Sequence, residues 1–192
     1  MINNYGSAVA EKSINLATHL PFDENSLIVH SDSNLKITEN IPTIDGATAL
    51  YPVYSAFVEA LYPKESVQFD GNDFTLESSI QKTGTTTAFK RVIDGDIDII
   101  FCAQPLKKQL EYAKEKIEDI VEDSNLKMIS LDGIYPSIEN IRNGTYPIVD
   151  NFYMIYRKDN TNENIEKIQN WILSEEGQKI IDETGYTSIM NY

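Results

Sequence analysis

Residues 97–102, Ile-Asp-Ile-Ile-Phe-Cys, form a nearly unbroken apolar run, and no other segment constrains the fold as strongly. A strand with one wet face alternates apolar and polar residues, whereas a continuous run suits a strand covered on both faces, as in a parallel or mixed sheet flanked by helices. The flanking segments supply such covers. Before the run, Phe89, Val92 and Ile93 mark the apolar face of a helix that Thr85 or Thr86 can cap and Gly95 ends. After it, Leu110, Ala113, Ile117 and Ile120 mark a long charged amphipathic helix from Leu106 to near Asp123.

The same alternation begins at Ile41. Pro42-Thr43-Ile44-Asp45 reads as a strand and Gly46 as a turn, and Leu50, Tyr54, Phe57, Val58 and Leu61 then share one face of a helix. Pro52 must lie in its first turn or kink it, and Pro63 stops it. Ser66 to Phe69 reads as another strand, closed by the turn Asp70-Gly71-Asn72-Asp73. Leu126 to Leu131 is a further strand candidate, Ser137 to Ile141 a short helix, and Phe152 to Tyr156 an aromatic strand. Asn162 opens a helix with Ile165, Ile168 and Ile172 inward; Ser174 starts another with Ile180 and Ile181 inward and Gly185 after it. The first forty residues carry only a weak helical pattern to Leu20, ended by Pro21, and a short strand pattern at Leu27 to His30. The expectation is an α/β fold: a single three-layer lobe over residues 41–192, with a central mixed, mostly parallel sheet of about five strands flanked by helices. Residues 1–40 are expected to form an N-terminal extension packed on it.

Thirty acidic against sixteen basic residues give a formal charge of −14, a surface that repels nucleic acid and anionic lipid. Net charge does not exclude a small anion, because oriented N–H groups and hydroxyls decide binding at close range. No stretch approaches the ~20 continuous apolar residues of a membrane span. The single cysteine, Cys102, lies in the apolar run and reads as a buried structural thiol. His19 and His30 are eleven residues apart, a spacing unlike paired zinc ligands. Asp94, Asp96 and Asp98 begin like a calcium loop, but its sixth position is Ile99 and its twelfth Pro105, so they read as a turn and a strand start. Asn143-Gly144-Thr145 matches a glycosylation sequon and equally a helix terminator. No nucleophile and base pair or metal-ligand cluster is legible, so neither an enzyme nor a metal or organic cofactor is expected.

Three stretches carry more information together than singly. The first is Asp45-Gly46-Ala47-Thr48-Ala49-Leu50-Tyr51-Pro52, continuing to Phe57. The second is Gly84-Thr85-Thr86-Thr87, a helix, Asp94-Gly95-Asp96-Ile97-Asp98-Ile99-Ile100 and Pro105-Leu106. The third runs from Glu139-Asn140-Ile141-Arg142-Asn143-Gly144-Thr145-Tyr146-Pro147 through Phe152-Tyr153 to Trp171-Ile172-Leu173-Ser174-Glu175-Glu176-Gly177-Gln178 and Gly185-Tyr186. In this order they resemble the PstS-like phosphate-binding proteins of the periplasmic-binding-protein type 2 superfamily. The resemblance implies a non-enzymatic, extracytoplasmic solute-binding component of an ABC transporter, anchored at the cell surface as a lipoprotein, with phosphate or a similar oxyanion as ligand and a membrane permease as partner. It implies ligand contacts from Thr48, from the N–H groups of Ala49 and Leu50, and from Thr85 and Thr86. Each of these residues also has a plain reading as a strand-to-helix turn or a helix cap.

Two departures from the family qualify it. The aspartate that accepts the hydrogen of a protonated phosphate falls here at Ala103, which bears on discrimination between phosphate and sulfate. Near residues 107–125, where the family carries most of a second lobe, about one helix fits, so the second lobe is expected to be missing, by nature or by excision. The alternative reading is a ligand-free interaction or scaffold domain that keeps the lobe fold and forms a homodimer through the face left open.

Overall fold

The computed structural model describes residues 14–103, 105, 107–116 and 151–189, with the side chains of all but 114–116. These residues make three strands, β1 (Ile44–Gly46), β2 (Ile99–Ala103) and β3 (Phe152–Tyr156), and five α-helices: α1 (Tyr51–Leu61), α2 (Thr85–Asp94), α3 (Lys107–Lys116), α4 (Asn164–Ile172) and α5 (Glu175–Glu183). The sheet order is β1-β2-β3, with β1 parallel and β3 antiparallel to β2. On the outer side of β1, Ile44 donates to the Ser79 carbonyl at 2.8 Å and accepts from the Gln81 N–H at 2.7 Å, forming an isolated parallel bridge with Ile80.

The unbroken apolar run of β2 is explained by its two covers. Ile99 and Phe101 face the larger core with α1, α4 and α5, while Ile100 and Cys102 face a smaller one built from Ala88, Phe89, Val92, Ile93 and Ala113 of α2 and α3. Burying such side chains contributes ~1.5–3 kcal/mol each, so a strand paired on both edges and covered on both faces anchors the three layers. Helix α1 is buried almost all round. On one side Tyr54 stacks on Phe101 and Phe57 meets the same ring at a tilt, with ring centroids 5.8 and 5.7 Å apart. The other side lies under residues 14–37, where Ile28 and Ile37 are buried and Ile14, Leu16, Leu20 and Phe22 pack against the core. Polar pins hold this segment: Ser55 Oγ donates to the His19 carbonyl at 2.6 Å, and Ile37 N–H donates to the Leu61 carbonyl at 2.8 Å.

Gly46 is required by close approach, because a Cβ there would stand 2.4 Å from the Phe101 carbonyl oxygen. Trp171 of α4 meets Phe57 edge-on at 5.6 Å, and its Nε1 donates to Glu176 Oε2 at 2.8 Å, joining α4 and α5 to the core.

Several expectations are corrected. The described sheet has three strands and not about five, with one parallel and one antiparallel pairing. Ser66 to Phe69 does not join it: a 3-10 turn occupies Lys64–Ser66, Phe69 bridges only to Phe74, and Ile80 takes the place beside β1. Leu27 to His30 is not a strand. The central strand begins at Ile99 and not Ile97, because Thr43 and Asp98 close its start with side-chain bonds. Neither Thr85 nor Thr86 caps α2; the cap is Gly84, at φ 85° and ψ 160°. The strand candidate at 126–131, the helix at 137–141, Asn143 and most of the stretch where a second lobe would be inserted lie outside the described residues. No helix among the described residues is long and apolar enough to cross a membrane.

Candidate functional site

Parallel β1 and β2 end at Gly46 and Ala103, and beyond the carboxyl ends of such strands helices begin and ligands collect. Two helical segments start at this edge. One is the 3-10 turn Thr48–Leu50 leading into α1; the other is α2, whose first turn begins five residues after the Ile80 bridge. Their starts adjoin, since a Cβ built on Gly84 would lie 3.9 Å from Thr48 Oγ1. At a positive φ of 85°, Gly84 lets the backbone turn sharply into α2 with no side chain between the two helix starts.

The donors at this edge can be followed atom by atom. Ala47 N–H is tied to the Phe101 carbonyl at 2.8 Å, and Leu50 N–H to the Ala47 carbonyl at 2.9 Å. Leu50 is therefore not a free donor as expected: the 3-10 turn uses its N–H, and its side chain belongs to the core. The N–H groups of Thr48 and Ala49 have no acceptor among the described residues, nor do those of Thr85, Thr86 and Thr87, because the first bond of α2 runs from Ala88 to Gly84. The hydroxyls of Thr48, Thr85 and Thr86 likewise have no partner among the described residues. The start of a ten-residue helix carries roughly half a positive charge, which favours an oxyanion there. Neighbouring basic side chains are engaged elsewhere, Lys82 Nζ with the Ile14 carbonyl at 3.1 Å and Arg91 Nη1 with Asp45 Oδ2 at 2.8 Å.

Asp45 went unrecognised in the sequence as anything but strand. It is fully buried, and it accepts from Gly46 N–H (2.8 Å) and Thr83 N–H (2.9 Å) at Oδ1 and from Thr83 Oγ1 (2.6 Å) and Arg91 Nη1 (2.8 Å) at Oδ2. The signal was present: an acid one residue before the end of a core strand must find buried partners. Tyr186, which closes the third sequence stretch, also has a place at this edge. Its hydroxyl donates to the Ala49 carbonyl at 2.6 Å, its ring meets Phe152 edge-on at 5.5 Å, and burial raises its pKa. Ala103 is half-buried at the end of β2, opposite Phe152.

The remaining candidates hold no chemistry here. Cys102 is buried, and desolvation above all pushes its thiol up to about 12. His30 pairs with Glu59 at 2.7 Å and its pKa is raised chiefly by that hydrogen bond. Among the described residues no group of three His, Cys, Asp or Glu side chains could hold a metal ion.

No protein-family model matches the chain, and no curated protein matches it. Two solved structures are similar to it. A possible phosphate-binding protein from Planctomyces limnophilus superposes with a TM-score of 0.51 at 12% identity, over 83% of this chain and 94% of that one. PstS from Borrelia burgdorferi superposes with a TM-score of 0.49 at 10% identity, over 82% of this chain and all of that one. The first likeness establishes a shared fold.

Proposed function

We propose that the chain binds phosphate or a similar oxyanion without transforming it, as the solute-binding component of a membrane transporter acting outside the cytoplasm. The observation that carries this reading is the juxtaposition of Thr48 with the start of α2, where five N–H groups and three hydroxyls at one sheet edge lack acceptors among the described residues. The named ligand of the Planctomyces limnophilus protein, whose fold is shared, supports phosphate as the first anion to test. Such a site works by preformed dipoles and hydroxyls and needs no cationic side chain. We further propose that the second lobe is missing, which would leave the site open to water where two-lobe closure desolvates a ligand, and weak affinity is the expected consequence.

Thermal unfolding with millimolar phosphate, against sulfate and chloride at matched ionic strength, tests the reading. Ligand at about one hundred times its dissociation constant stabilises the native state by ~2.7 kcal/mol and raises the midpoint by a few degrees. A rise with phosphate and not with chloride is expected. The absence of any anion-dependent rise would sink the reading and favour the ligand-free interaction domain.

A further inference from the structure

The buried cluster beneath this edge carries one step more, which rests on the anion-binding reading. Asp45 accepts four hydrogen bonds from three pieces of chain: Gly46 at the end of β1, Thr83 just before the cap of α2, and Arg91 within α2. A carboxylate offers about four lone-pair sites, so this one is saturated. The fold does not need a charge there, since exchanging a buried ion pair for apolar residues of similar size is often neutral or stabilising. What the carboxylate supplies is geometry. The N–H groups of Gly46 and Thr83 both end on Oδ1, at 2.8 and 2.9 Å, so the two helix starts are set relative to a single atom. Arg91 supplies the opposite charge, without which a bare carboxylate would repel an anion held above it.

We propose that Asp45 is the positioning residue of the anion site, holding Gly46 and Thr83 so that the N–H groups of Thr48–Ala49 and Thr85–Thr87 converge on one oxyanion, and that Arg91 serves it as counter-ion and does not touch the ligand.

Calorimetric titration of the full chain with inorganic phosphate tests this, using Asp45→Asn, Arg91→Gln, their double variant, Thr83→Val and Thr83→Ser. Asp45→Asn is expected to weaken phosphate binding by about tenfold or more through misplacement of the donors. The double variant should bind no worse than Asp45→Asn, because removing the charge left without its partner compensates. Thr83→Val deletes one hydrogen bond to Asp45 from an exposed residue, so it folds even where Asp45→Asn does not; it should weaken binding a few-fold, with Thr83→Ser restoring the parent value. Asp98→Asn, at the opposite sheet edge, should lower stability and leave the phosphate dissociation constant unchanged. Equal or tighter binding by Asp45→Asn, or fully additive losses from Asp45→Asn and Arg91→Gln, would make Arg91 a ligand group and overturn the assignment. So would parent-like binding by Thr83→Val. Failure of the parent chain to bind any anion would instead remove the anion reading itself, and this assignment with it.

Discussion

The two edges of the sheet treat their polar groups in opposite ways. At the amino edge the loops satisfy one another. Asp98 Oδ2 accepts from Thr43 N–H and Oγ1 at 2.8 and 2.9 Å, and Asp98 Oδ1 accepts from Asn160 Nδ2 at 2.7 Å. Asn162 and Asn164 then reach across to the carbonyls of Asn40 and Glu39 at 2.9 and 2.8 Å. At the carboxyl edge the acid is just as well partnered, but it lies beneath the surface, and the donors above it have no acceptor among the described residues. One edge closes the fold; the other fixes in place a set of donors that meet no acceptor among the described residues. The same residue types thus serve two ends, and the difference lies in whether a loop returns to accept what they offer.

The largest effect expected from breaking this contrast is at Asp45. Asp45→Ala should cost about 3–5 kcal/mol in urea unfolding, since it strands a partly buried Arg91, and phosphate binding should fall with it. Gly46→Ala drives a methyl into the Phe101 carbonyl and should cost about 1–3 kcal/mol by the same measurement. Asp98→Ala removes acceptors from three donors at the amino edge; a loss of ~1–3 kcal/mol is expected, with the phosphate response intact. Thr48→Val touches only an open donor, so stability should stay within ~0.5 kcal/mol while the phosphate-dependent rise in melting temperature disappears. The smallest effect is in pH. Because the Glu59 hydrogen bond raises the pKa of His30, the pair's contribution is fully present below the ordinary histidine value near 6.5 and fades as pH rises through the higher folded value. His30 is half exposed, so this amounts to a few tenths of a kcal/mol, and His30→Gln should flatten that part of the stability profile.

Legibility in the sequence followed burial. The strand Phe152–Tyr156, the stop at Gly95 and the inward isoleucines of α4 and α5 were readable because periodicity and a left-handed glycine act locally. Strand pairing is not local. Ser66 to Phe69 alternates like a strand and pairs with nothing in the sheet, whereas Ile80, between Ser79 and Gln81, offers no alternation and still lies beside β1. At the candidate site, the family resemblance singles out Thr48, Ala49, Thr85 and Thr86, and the fold sets Thr48 beside the start of α2. The loss of Leu50 as a donor followed from a 3-10 turn that a Thr-Ala-Leu sequence does not announce. That Asp45 needs buried partners is legible from its place in a core strand, but which residues they are is not, because Thr83 and Arg91 lie 38 and 46 residues away.

The central claim is that the N–H groups at the carboxyl edge hold the anion, and a phosphate titration followed by backbone amide NMR tests it most directly. Saturable shifts concentrated at Thr48, Ala49, Thr85, Thr86 and Thr87, with Leu50 and the amino-edge amides of Thr43 and Asn162 little changed, are the predicted result. Shifts centred on the amino edge, or none that saturate with phosphate at either edge, would contradict it.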